Sequence, residues 1–152
     1  MDFHVEVMQK KRIAYMRNVG PYGLGNKELM ENLKAWAAEN GLFHTSAEIL
    51  GIARDDPALT LPERCRYDVC IVVKEGFCKP DDSVREDWLF GGRYAVFTLA
   101  HTVEALREAW NYVFPELAVR GFMADAARPI LERYVPRMVE NHLCEICVPV
   151  LG

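Results

Sequence analysis

Near the start of the chain Phe3, Val5 and Val7 alternate with His4 and Glu6, and beyond the polar Gln9-Lys10-Lys11 a second extended run covers Ile13 to Val19. Alternation with a period of two marks a half-buried strand, so the pair predicts a β-hairpin. The period changes after Gly20-Pro21-Tyr22-Gly23. Leu29, Met30, Leu33, Trp36 and Ala37 recur at steps of three and four up to Asn40-Gly41, the pattern of an amphipathic helix with a glycine stop. Ile49 to Ala53 and Tyr67 to Val73 are β-rich runs, separated by Arg54-Asp55-Asp56-Pro57 and Leu61-Pro62-Glu63, which carry turn chemistry. The first half therefore reads β-α-β-β.

The second half follows the same grammar. Phe90-Gly91-Gly92-Arg93 turns into a strand from Tyr94 to Leu99, and Thr102 is placed to cap a helix carrying Val103, Leu106, Trp110, Val113 and Leu117, with Pro115 kinking or ending its regular part. Strands at Ile130 to Tyr134 and Leu143 to Val150 close the chain. The halves also match residue by residue. Arg12-Ile13-Ala14 answers Arg93-Tyr94-Ala95 at an offset of 81, Ile49-Leu50-Gly51 answers Ile130-Leu131-Glu132 at the same offset, and Asp68 to Val73 answers Glu145 to Val150 at 77. An internal duplication is the economical reading. It predicts an α+β fold, a tandem duplication of a β-α-β-β unit with helices packed on antiparallel sheets, in a single domain over residues 1–152 with repeats at about 1–75 and 76–152.

Composition narrows the function classes. The 152 residues are 51% hydrophobic, enough for a substantial core, and the formal net charge is -4 with no basic cluster longer than Lys10-Lys11-Arg12. Direct nucleic-acid binding needs a basic face and is not expected. The amino terminus lacks the basic start and apolar run of a signal peptide, and no segment reaches the roughly 18 apolar residues of a membrane span, so a cytoplasmic location is expected. The five cysteines, Cys65, Cys70, Cys78, Cys144 and Cys147, are odd in number and read as reduced thiols. No P-loop, G-x-S-x-G or dinucleotide fingerprint is present.

Five segments, Asn18 to Tyr22, Asp55-Asp56-Pro57 with Leu61 to Asp68, Gly91 to Val96, Glu132-Arg133-Tyr134 and Ile146 to Val150, come in the order and spacing of the GyrI-like family, which the chain resembles along nearly its whole length. That family includes the effector-binding domains of AraC-type and MerR-type multidrug regulators and the bacterial DNA gyrase inhibitor. The resemblance implies a pseudo-two-fold axis between the halves and a cleft for aromatic, often cationic, compounds. In regulators of the family a DNA-binding domain precedes this one; here a strand begins at residue 3, so the chain is expected to be a sensor without its reader, which would need a partner to regulate transcription.

Glu132 is the foremost candidate, because it interrupts the apolar run Pro129-Ile130-Leu131 where the other half has Gly51. The resemblance implies that a glutamate here lies in the pocket and pairs with cations. A desolvated carboxylate is costly unless protonated, hydrogen-bonded or met by a cation. The competing reading is an exposed glutamate salt-bridged to Arg133 or Arg128. Tyr22, Tyr67, Trp110 and Tyr134 are candidate walls whose ring faces attract planar cations, and each is equally serviceable in a core. Tyr134 shares strand parity with Glu132 and is expected on the same face. Relatives often place a tyrosine in the last strand where this chain has Cys147, a further pocket candidate. Cys144 and Cys147 lie three apart, which on a strand puts the sulfurs on opposite faces, so neither a metal nor a redox site is expected.

Three functions remain open: a receptor or sequestering protein for planar, amphipathic small molecules, cationic ones included, without a cofactor; a modulator of DNA gyrase acting by protein contact; and a hydrolase of cyclopropane-bearing alkylating compounds, an activity the resemblance brings in, with Glu132 as general acid or base.

Overall fold

The computed structural model describes residues 1–152. Eight strands form one antiparallel sheet: β1 (Asp2–Met8), β2 (Lys11–Val19), β3 (Ile49–Ala53), β4 (Arg66–Val73), β5 (Arg85–Leu89), β6 (Gly92–Ala100), β7 (Leu131–Tyr134) and β8 (Leu143–Pro149). Helices α1 (Asn26–Glu39) and α2 (Val103–Val119) pack on one face, and the short α3 (Pro136–Val139) follows β7. The spatial order is β1-β6-β8-β7-β3-β4-β2-β5, in which β2-α1-β3-β4 and β6-α2-β7-β8 are the two copies of the predicted unit. No helix is long and apolar enough to cross a membrane.

The predicted hairpin does not form. β1 pairs with β6, in register from Asp2↔Thr98 to Met8↔Gly92, and β5 pairs with β2, so each half lends its leading strand to the edge of the other. The linkers cross closely: a Cβ on Gly91 would stand 2.5 Å from the Met8 carbonyl oxygen. β1 carries the predicted alternation but is an edge strand, and its Val5 and Val7 are exposed. β5 was not expected at all, because Arg85-Glu86-Asp87 hides a strand whose anchors are Val84 and Leu89, both buried.

The helices form as their periodicity requires. α1 buries Leu29, Leu33, Trp36 and Ala37, and Gly41 follows it at φ 69°, the left-handed conformation in which a side chain would be strained. The Thr102 side chain accepts from the Ala105 N–H at the start of α2. The helix runs through Pro115 rather than stopping there, because Pro115 lies on its exposed side while Val113 and Leu117 hold the buried side. α1 covers one half of the sheet, with Val69 and Ile71; α2 covers the other, with Phe97 and Ile146. The opposite face curls on a third cluster drawn from both halves, including Ile13, Leu50, Cys70, Val96, Leu131 and Cys147.

Candidate ligand cleft on the helical face

The two helices leave the middle of the sheet uncovered. There β3 and β7 lie side by side in the register Ile49↔Tyr134, Leu50↔Arg133 and Gly51↔Glu132. Gly51 and Glu132 are also equivalent positions of the repeat, so the local dyad passes between them, and two large side chains at this pair would compete for one space. A Cβ on Gly51 would come 2.1 Å from the Tyr67 hydroxyl oxygen and 2.7 Å from Glu132 Oε1. The glycine is what lets the Glu132 carboxylate lie over the dyad.

Above this pair is a cleft of about 910 Å³. Its floor includes Ala53, Tyr67, Glu132 and Tyr134; α1 supplies Lys27, Met30, Glu31 and Lys34, and the α2 side supplies His101, Val103, Leu106 and Trp110. An adjoining recess of about 560 Å³, lined in part by Asp55, Phe114 and Arg128, shares Trp110 and Glu132 with it. Volumes of this size suit small organic ligands.

The Tyr67 hydroxyl donates to Glu132 Oε1 at 2.7 Å. Burial raises the Glu132 pKa, opposed by the favourable placement of the Tyr67 and Tyr134 hydroxyls. Both phenols are pushed upward by burial and then by the carboxylate, so they remain donors at neutral pH. No basic side chain forms an ion pair with Glu132. Arg133, on the same strand but with the opposite parity, reaches Glu145 and Glu6, and Arg128 reaches Asp125. Neither salt bridge of the competing reading forms.

Four of the aromatic and acidic candidates meet here, Glu132, Tyr134, Tyr67 and Trp110. Trp110 is half-buried beside the core residue Ala109, so it serves core and cleft together. Tyr22 joins the rim, where its hydroxyl donates to the Asp55 carbonyl at 2.9 Å, accepts from the Asp55 N–H, and its ring meets Tyr67 edge-on at 6.5 Å. Cys147 does not reach the cleft. It alternates with Ile146 along β8 and is buried on the opposite face with Leu50, Cys70 and Leu131, where burial pushes its thiol up to about 12. Cys144 faces the α2 side, so the two sulfurs point to opposite faces. Sequence reasoning missed Lys27, Lys34 and His101. The lysines flank the apolar stripe of α1 at helical spacing, a signal that identifies a helix flank but not what it faces. The His101 ring lies 5.4 Å from that of Tyr134, tilted by 56°.

A family model described as a GyrI-like small molecule binding domain matches residues 1–151. The SPbeta prophage-derived YosT of Bacillus subtilis (strain 168), whose name assigns it to transcriptional regulation, is 48% identical over 151 residues, 99% of each chain. A protein of Dickeya dadantii (strain 3937) named DNA gyrase inhibitor 2 is 30% identical over 80% of this chain and 78% of its own. Among solved structures, SAV2435 bound to tetraphenylphosphonium superposes with a TM-score of 0.60 at 14% identity, covering 100% of this chain and 95% of that one. This last likeness shows the fold.

Proposed function

Because the chain belongs to the GyrI-like family of small-molecule-binding domains, we propose that its cleft takes planar, amphipathic compounds that carry a positive charge, and that it acts as a cytoplasmic effector- or drug-binding protein. One observation carries this reading: Glu132 holds an ionisable carboxylate on the floor of an aromatic cleft, hydrogen-bonded by Tyr67 and unpaired with any basic side chain. A bound cation would supply the counter-charge that water no longer gives. The faces of Tyr67, Tyr134 and Trp110 would add stacking and cation-π attraction. The tetraphenylphosphonium held by SAV2435 is an aromatic, lipophilic cation, tetrahedral rather than planar, and supports the cationic part of the reading. With a net charge of -4 and no basic cluster longer than Lys10-Lys11-Arg12, a regulatory output would pass through a protein partner rather than through direct DNA contact.

Calorimetric titration of tetraphenylphosphonium and of neutral triphenylphosphine oxide, each against the wild type and Glu132→Gln, forms a double cycle. The substitution is expected to weaken the cation about tenfold more than the neutral compound. An equal loss for both would show that Glu132 does not read charge. The name of the Dickeya dadantii relative supports a second reading, modulation of DNA gyrase by direct contact. Titration of purified gyrase with the ligand-free protein tests it, and an absence of binding removes it.

A further inference from the structure

We infer that the cleft reads its ligand at two poles, Glu132 taking a positive group at the floor and Lys34, with Lys27, taking an anionic substituent at the mouth, so that zwitterionic aromatics are its preferred ligands. The inference rests on the cation reading above and narrows its ligand class.

Lys27, Met30, Glu31 and Lys34 fall at successive steps of three, one and three residues on α1, a stripe beside the buried Leu29, Leu33 and Trp36. That stripe is one wall of the cleft. Glu31 sits four residues from Lys27 and three from Lys34, a spacing at which helical ion pairs form. Neither lysine makes an ion pair with it or with any other carboxylate. Lys11, the half-buried lysine of β2, is by contrast tied to Glu48 at 2.5 Å. Lys34 is half-buried too, yet its charge is left unpaired against the cleft.

The lining acids and bases thus separate by depth. Glu132 alone charges the floor, while the α1 wall carries two lysines against one glutamate. Across the mouth, burial first and then the charge of Lys34 hold the His101 pKa below its ordinary value, so this imidazole is neutral at pH 7 and adds no further cation. A ligand with positive charge alone gains at the floor and meets a net positive wall on its way out. A ligand that also carries a carboxylate turned toward α1 satisfies both ends, with Met30, Leu106 and the aromatic rings contacting its planar body between them.

Rhodamine B and its ethyl ester share one cationic ring system and differ by a single carboxylate, which makes them the probes. Each is titrated calorimetrically into the wild type, Lys34→Arg, the double variant Lys27→Met with Lys34→Met, and Glu132→Gln. The wild type is expected to bind the acid roughly fivefold more tightly than the ester at low ionic strength, a preference that shrinks as salt is added. Lys34→Arg should keep the preference, the double lysine variant should abolish it, and Glu132→Gln should weaken both dyes alike. Lysines that merely solvate the helix would leave acid and ester equal. Equal affinities in the wild type, or a preference that survives in the double lysine variant, would overturn the two-pole inference and leave the cation reading standing. If neither dye binds, or if Glu132→Gln changes neither, the cation reading itself fails and takes this inference with it.

Discussion

On the face of the sheet turned away from the helices, Asp68 of β4 is fully buried and clamped by two guanidiniums, accepting from Arg17 Nε at 2.6 Å and Arg54 Nε at 2.8 Å. Its repeat equivalent Glu145 accepts from Arg133 Nε at 2.8 Å, and the same arginine reaches Glu6 across the curl. On the helical face Glu132 is held by phenols and meets no counter-charge. Charges that knit the curled face are neutralised within the chain. The one in the cleft has no such partner, and the contrast supports the proposed role of Glu132 in binding.

The largest expected effect lies on the neutralised side. Asp68→Asn removes the only carboxylate shared by Arg17 and Arg54, leaving two half-buried guanidiniums without a counter-ion, and should cost about 3 kcal/mol or more in denaturant unfolding. A loss below about 0.5 kcal/mol would dissolve the distinction between the faces.

Gly51→Ala comes next. Its Cβ would press on the Tyr67 hydroxyl and on Glu132 Oε1, and a tyrosine ring cannot yield as a flexible chain end does. A stability loss of about 1–3 kcal/mol is expected, together with a drop of about tenfold in tetraphenylphosphonium affinity. Unchanged affinity in the folded variant would show that the Tyr67–Glu132 contact does not position the carboxylate.

The smallest effect has the opposite sign. Glu132→Gln keeps an acceptor for Tyr67 and removes a carboxyl whose charged form burial disfavours, so the ligand-free protein should become slightly more stable at neutral pH, by on the order of 1 kcal/mol. The pH dependence follows from the raised pKa. Folding favours the protonated glutamate, so its contribution is fully present below the ordinary value near 4.5 and is lost as pH rises through the higher folded value. The stabilisation by glutamine should therefore be absent at pH 3 and appear above pH 5, which unfolding curves at several pH values would register.

Much of this was legible in the residues. The glycine stop at Gly41, the Thr102 cap, the strand Ile49 to Ala53 and the equivalence of Gly51 with Glu132 are local or repeat-level signals, and the structure has each of them. Strand parity carried Tyr134 to the same face as Glu132 and parted Cys144 from Cys147. Cys147 is a pocket candidate only through the tyrosine that relatives carry in the last strand, and the packing of β8 turns it to the opposite face.

What the sequence by itself determined was where most of the chain is extended, β5 apart, where its two long helices lie, and which positions of one half answer those of the other, because side-chain periodicity and turn chemistry act over a few residues. Tertiary structure alone decided that β1 joins β6 and β5 joins β2, that the gap between helices opens over β3 and β7, and that Arg133 turns to Glu6 and Glu145 instead of Glu132. These outcomes depend on strand order and on the curl of the whole sheet. Backbone hydrogen bonds are the same for any antiparallel partner, so the choice among partners falls to long-range burial and charge pairing, which no local window of residues contains.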